Sequence, residues 1–174
     1  MRYKEALKDL MSLTDFGIIS NNNTAKKRRY DLNRIIKFSS LFGNPENSSP
    51  NVHIAGTKGK GSTAVFISSI LETEGYKTGL FTSPHIHKLT ERIQIGGKEI
   101  SKTKFSKSFY EMWPDVQQYN EQNPNNRITL FEFLTILAFY IFDKENTDIN
   151  VIEVGLGGKL DSTNILTPHI SIIT

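Results

Sequence analysis

A short apolar run, Val52-His53-Ile54-Ala55, opens directly into the glycine-rich stretch Gly56-Thr57-Lys58-Gly59-Lys60-Gly61-Ser62-Thr63. A helical pattern over 64–74 follows, closed by Gly75, and then a second apolar run over 78–82. Few folds accommodate that order. A strand that turns through glycines into a helix and returns to a second strand is the opening unit of a parallel α/β sheet. The expected fold is therefore α/β, a mostly parallel sheet flanked by helices, with residues 56–62 joining a strand to a helix N-terminus.

That junction suits phosphate. Backbone N–H groups at a helix N-terminus converge on one point, and the helix dipole adds partial positive charge there. Glycines let the backbone come close to phosphate oxygens. Lys60 can reach a β- or γ-phosphate as a mobile point charge, and Ser62 or Thr63 can offer a hydroxyl to phosphate or Mg²⁺. The strict phosphate-loop pattern would place Gly at 54 and Ser or Thr at 61, where this chain has Ile54 and Gly61. The plainer alternative is a glycine-rich turn with incidental lysines. The order of strand, glycines, lysine, hydroxyls and helix favours the phosphate loop.

Elsewhere the periodicity predicts a helix over 3–11 with Tyr3, Ala6, Leu7, Leu10 and Met11 on one face. A polar loop centres on Asn21-Asn22-Asn23. A second helix is expected over 31–42, using Leu32, Ile35, Ile36 and Leu41 and stopped by Gly43 and Pro45. Alternation around Gly96-Gly97 predicts a hairpin. Ser101 can cap a long helix to about Tyr119. Thr129-Leu130-Phe131-Glu132 matches a capping box that opens a buried apolar helix to Phe142. A strand at 150–152 leads to Glu153 and the turn Gly155-Leu156-Gly157-Gly158. The chain stops inside the apolar run Ile170-Ser171-Ile172-Ile173, which reads as a core strand, expected beside the strand ending at Glu153, and suggests a fragment. His53 and His169 read as ordinary strand-neighbour positions. His85-Ile86-His87 has a spacing that could hold zinc, but no other ligand converges on it in the sequence.

Composition removes several function classes. A net charge of +3, from 21 basic and 18 acidic residues, is too small for a typical nucleic-acid binder. The one basic run, Lys26-Lys27-Arg28-Arg29, reads as a solvated turn. No stretch approaches the ~18 consecutive apolar residues of a membrane helix, and the N-terminus lacks the apolar core of a signal peptide. With no cysteine, disulfides and thiolate metal sites are excluded, which fits a cytoplasmic location.

Five ordered stretches together resemble one family. His53 to Thr63 is similar to the nucleotide loop of folylpolyglutamate and dihydrofolate synthases, whose Gly-Lys-Gly-Ser variant separates them from other Mur ligases. Thr82-Ser83-Pro84-His85, then Leu89-Thr90-Glu91-Arg92-Ile93, then Thr129 to Glu132 follow in the family's order. The most distinctive stretch is Glu153-Val154-Gly155-Leu156-Gly157-Gly158-Lys159-Leu160-Asp161-Ser162-Thr163-Asn164. Lys58 stands where the family often has Asn, and Lys159 where it usually has Arg, which removes a planar fork.

The resemblance implies a Mur-ligase-type central domain, with residues 1–174 as an incomplete N-terminal ATP-binding portion and the C-terminal glutamate-ligase domain absent. It implies that Thr57, Lys58, Gly59, Lys60, Gly61 and Ser62 surround the phosphates of ATP, and that Ser83 and Glu153 bind Mg²⁺, with Lys60 and Glu153 carrying the catalysis. Ile128, Thr129, Leu130, Phe131, Leu160, Asp161 and Ser162 would line the acceptor pocket. For Phe131, core packing is an equal alternative, and for Glu132 the capping box is sufficient. The implied reaction is ATP-dependent amide formation between glutamate and the carboxylate of dihydropteroate or a folate, through an acyl phosphate, by a monomer whose partners are small molecules. The rivals are a Mur-type ligase acting on another carboxylate, and a nucleotide-binding remnant without turnover.

Overall fold

The computed structural model describes residues 3–13 and 32–174. The expected loop around Asn21-Asn22-Asn23, the basic run Lys26-Lys27-Arg28-Arg29 and Asp31 lie outside the described residues.

Four strands run parallel: β1 (Asn51–Ala55), β2 (Thr78–Phe81), β5 (Ile149–Glu153) and β6 (Ile170–Ile173). A hairpin of β3 (Ile93–Ile95) and β4 (Lys98–Glu99) adds antiparallel to β2, giving the order β4-β3-β2-β5-β1-β6. The hairpin turns on Gly96 (φ +53°) and Gly97 (φ +71°), both in the left-handed region that a two-residue hairpin turn with matching twist requires. The placement of β6 departs from the expected one. It pairs with β1, not with β5, because both sides of β5 are already taken by β2 and β1. Within residues 1–174 it is the last strand in the order, beside β1.

Helix α1 is Tyr3–Met11, α2 Leu32–Ser40, α3 Lys60–Thr73, α4 Lys102–Gln122 and α5 Leu130–Lys144. Among the described residues, α3 alone covers one face of the sheet, over Val52, Ile54, Leu80 and Val151. Its first turn begins at Lys60, earlier than the apolar pattern suggested, because Gly59 in the left-handed region (φ +77°) already turns the chain into the helix. The other face carries α5, almost wholly buried, with α4, α2 and α1 packed around it. Phe109 is the hub of that layer, ringed by Trp113, Phe105, Tyr110 and Phe133. Among the described residues no helix is long and apolar enough to cross a membrane.

Of the apolar residues expected to face inward from helix α2, Ile35 is buried and Leu32 packs against the core, but the other two do not. Ile36 and Leu41 are exposed, whereas Ile35, Phe38, Ser39 and Arg34 are buried. The reason lies 98 residues away: Arg34 Nη2 meets Glu132 Oε1 at 2.6 Å and Nε lies 2.9 Å from both carboxylate oxygens. Nη1 also donates to Asn126 Oδ1 at 3.0 Å. Glu132 completes the capping box of α5, accepting the Thr129 N–H at 2.8 Å while its own N–H donates to Thr129 Oγ1. One carboxylate therefore caps α5 and anchors α2.

Breaking a buried pair leaves an uncompensated charge, at a cost of about 3–5 kcal/mol. Arg34→Met is expected to lose stability of that order in urea unfolding. Adding Glu132→Gln should recover much of it, since no charge then remains buried. Equal stability of wild type and Arg34→Met would show that the pair does not hold α2.

Candidate functional site

The parallel strands β1, β2 and β5 end together, in the register Ile54↔Glu153 and Phe81↔Ile152. Open α/β sheets bind ligands outside such carboxyl ends. Three loops meet there: 56–59 after β1, 82–88 after β2 and 154–161 after β5.

The first loop is held open by the end of β6. Thr174 N–H donates to Ala55 O at 3.0 Å and its hydroxyl to Lys58 O at 2.6 Å. Gly56 (φ +144°) lies so close beneath that a Cβ would overlap Thr174. The Gly59 N-cap supplies no side chain, so the first amides of α3 have no capping partner from that residue. Thr57, Lys58, Gly59 and Ser62 are exposed around them, and Lys60 and Gly61 half-buried.

Glu153 joins this loop to the second one. Its side chain is buried at the end of β5, and Oε2 accepts the Ser83 N–H at 2.8 Å. A Cβ on Gly61 would lie 3.5 Å from both carboxylate oxygens, an ordinary contact, so the first turn of α3 packs directly against the acid. Burial raises the Glu153 pKa above the ordinary carboxylate value, opposed by the Ser83 amide, the Lys60 charge and the Gly61 amide. Lys60 and Glu153, 93 positions apart in sequence, thus act on each other at one corner. The carboxylate and hydroxyl of Glu153 and Ser83 are hard oxygen donors of the kind Mg²⁺ takes, and the bond between the two residues keeps them together, so the donor set fits that ion.

Ser83 precedes Pro84 through a cis peptide bond. The loop beyond it is gathered by Glu91, whose carboxylate accepts the N–H groups of Ile86 (2.8 Å), His87 (3.0 Å) and Lys88 (2.7 Å). Arg92 Nε donates to His85 Nδ1 at 2.9 Å, which directs that imidazole to the guanidinium. Among the described residues no group of three His, Cys, Asp or Glu could hold a metal ion, and nothing joins the His85-Ile86-His87 pair.

The candidate acceptor residues lie on the opposite face from α3. Phe131 is half-buried, with its ring 6.1 Å from that of Phe81 and its edge against the backbone of Gly155, where a Cβ would fall 2.5 Å from Cζ. Asp161 reaches the same glycine, 3.2 Å from that Cβ position. Leu160 is exposed and Ser162 half-buried beside them. Ile128 points into the core, 2% exposed, Thr129 is engaged in capping, and the Leu130 N–H donates to Leu13 O at 3.1 Å. Phe131, Leu160, Asp161 and Ser162 are therefore brought together, whereas Ile128 and Thr129 support them from behind. The sequence analysis placed Glu91 only in the Leu89–Ile93 resemblance, not as the clamp of residues 86–88, and did not single out Arg34. An acid three residues after Lys88, and an arginine interrupting an apolar helix face, were the available signals.

No protein-family model matches this chain. It is 40% identical over 166 residues to the folylpolyglutamate synthase of Arabidopsis thaliana, a match covering 94% of this chain and 26% of that protein. The fold is similar to the apo form of L. casei FPGS, with a TM-score of 0.87 and 32% identity, over 99% of this chain and 40% of that one. An FPGS–AMPPCP–folate complex gives a TM-score of 0.85 at 34% identity, over 99% of this chain and 40% of that one. The chain thus spans about a quarter of the length of the Arabidopsis relative.

The Glu91 clamp carries a pH dependence. Its pKa is lowered, first by the Ile86 N–H; desolvation opposes this, and the Lys88 and His87 N–H groups lower it further. A carboxylate with a depressed folded-state pKa stabilises above its unfolded value, here 4.5, and that contribution is lost as pH falls through the folded value. Amide exchange of residues 86–88, corrected for its intrinsic pH dependence, is expected to lose protection below pH 4.5, and Glu91→Ala to remove that protection already at pH 6. Unchanged protection in Glu91→Ala would show that the loop holds itself.

Proposed function

Because this chain belongs to the folylpolyglutamate synthase family and matches its N-terminal portion, we propose that it supplies the ATP- and acceptor-binding part of a ligase that joins glutamate to a folate-type carboxylate. The observation that carries this reading is the corner where Glu153 meets Ser83, Gly61 and Lys60. The amides at the start of α3 and the Lys60 ammonium bind the phosphates and offset their charge. Glu153 and Ser83 hold Mg²⁺ beside them. When bound, Mg-ATP supplies the phosphoryl group that activates the acceptor carboxylate.

The chain's own residues then have to bring two ligands to one edge. Strand β5 divides them. Glu153, its last residue, faces α3 and the phosphate loop, and two residues on, Gly155 lies against Phe131 on the other face. Phe131 offers a flat apolar surface for an aromatic acceptor. Asp161 and the 155–161 turn close the opposite wall. Positioning of this kind is worth several kcal/mol in reactions between two bound groups. The acceptor is a pteroate-type acid; dihydropteroate and reduced folates share the ring system that Phe131 would contact.

The expected outcome is measurable by calorimetric titration. Mg-ATP should bind the chain, and Lys60→Ala should weaken it by roughly tenfold or more, the loss of about one charge-assisted contact, with the thermal midpoint unchanged. Glu153→Gln should raise the Mg²⁺ concentration needed for the same nucleotide affinity. Near-normal Mg-ATP affinity in Lys60→Ala would remove the assigned role.

A further inference from the structure

On the face of the sheet away from α3, a buried chain of hydrogen bonds runs from β1 to the 155–161 turn. His53 is an interior residue of β1, 7% exposed, paired on one side with Ile152 and on the other with Ser171. Its Nε2 lies 2.8 Å from Thr163 Oγ1. The same threonine oxygen donates to Asp161 Oδ1 at 2.6 Å, and the Thr163 N–H reaches that oxygen at 2.9 Å. The other carboxylate oxygen, Oδ2, accepts the Leu156 N–H at 2.8 Å. Thr163 is fully buried and Asp161 6% exposed, so these bonds form away from water.

The direction of the protons follows from counting. A threonine hydroxyl has one proton and two acceptor sites. The carboxylate is the stronger acceptor and the nearer one, so the hydroxyl donates to Asp161 and accepts from the imidazole. His53 must therefore carry a proton on Nε2. The chain then runs from His53 Nε2–H to Thr163 Oγ1–H to Asp161, which takes the Leu156 amide on its other side. Both ends of the turn are thereby tied to a strand hydrogen-bonded along both edges.

We propose that His53 is a positioning residue for the acceptor: through Thr163 it orients Asp161, and through Asp161 it fixes the 155–161 turn against Phe131. The sequence alone marked His53 as an ordinary strand position, yet it is linked to a group 110 residues away. Burial lowers its pKa, partly offset by the Asp161 charge, which agrees with a neutral imidazole protonated at Nε2 alone. The inference rests on the assignment of the turn to the acceptor, and its test separates the two.

Three measurements on the 174-residue chain decide it. In the wild type, the ¹⁵N shifts of His53 should report the Nε2–H tautomer at pH 7.5; a proton on Nδ1 alone would overturn the proposal without any variant. His53→Phe fills the space but removes the donor. It should speed amide exchange at Leu156 and Thr163 and weaken folate binding about tenfold, as the loss of one buried hydrogen bond implies, while Mg-ATP affinity stays as it was. His53→Gln, whose amide nitrogen can take the place of Nε2, should restore both. Unchanged exchange in His53→Phe, or equal losses of folate and Mg-ATP affinity, would reduce His53 to scaffold. If the wild type binds Mg-ATP but no folate, the acceptor assignment fails and with it the role in binding; the exchange data then stand only for the turn.

Discussion

The carboxylate of Glu153 is the contact on which the arrangement of the site depends. It ends the central strand β5, accepts the amide of Ser83 after β2, and faces Gly61 in the first turn of α3. A buried carboxylate is costly unless hydrogen-bonded, and the partners here are backbone N–H groups from two other segments. Satisfying that one acid therefore fixes where the phosphate loop and the Ser83 loop sit relative to each other. A neutral residue at 153 would remove the negative charge that Lys60 faces at this corner.

The sheet divides the chemistry by its two faces. Below it, α3 is the sole cover among the described residues, and carries Val65, Phe66 and Ile70 outward with 47%, 67% and 63% exposure. Above it, the thick layer of α1, α2, α4 and α5 buries nearly all the large aromatic side chains. The corner of Lys60 and Glu153 thus lies on the thin side, where backbone amides are accessible. The Phe131 and Asp161 corner lies on the thick side, where packing can shape a pocket. Two buried polar links cross the thick layer over long stretches of chain. Arg34 with Glu132, and His53 with Thr163 and Asp161, each join segments about 100 residues apart. Bonds of this kind contribute less to net stability than to a unique arrangement, because any other packing leaves a buried group without a partner.

Much of this was legible in the chain itself. The glycine-rich turn after β1, the hairpin at Gly96-Gly97, the Ser101 cap and the Thr129 capping box are each set by residues close together in sequence, and each formed at or near its pattern. Local backbone conformation follows from local steric and hydrogen-bond preferences, so a sequence displays it directly. The likeness of five ordered motifs to one family likewise needed no coordinates.

What only the tertiary structure decided is which distant groups meet. The apolar run 170–173 displays the periodicity of a strand but not its neighbour; β5 was closed on both sides, so the run pairs with β1. Ile36 and Leu41 carry the same apolar signal as Phe38, yet the ion pair of Arg34 with Glu132 set the rotation of α2 and left them outside. His53 looks like any strand residue until Thr163 is placed 2.8 Å from it. Pairing, rotation and buried polar contact depend on competition among all surfaces of the chain at once, and no window of neighbouring residues contains that information.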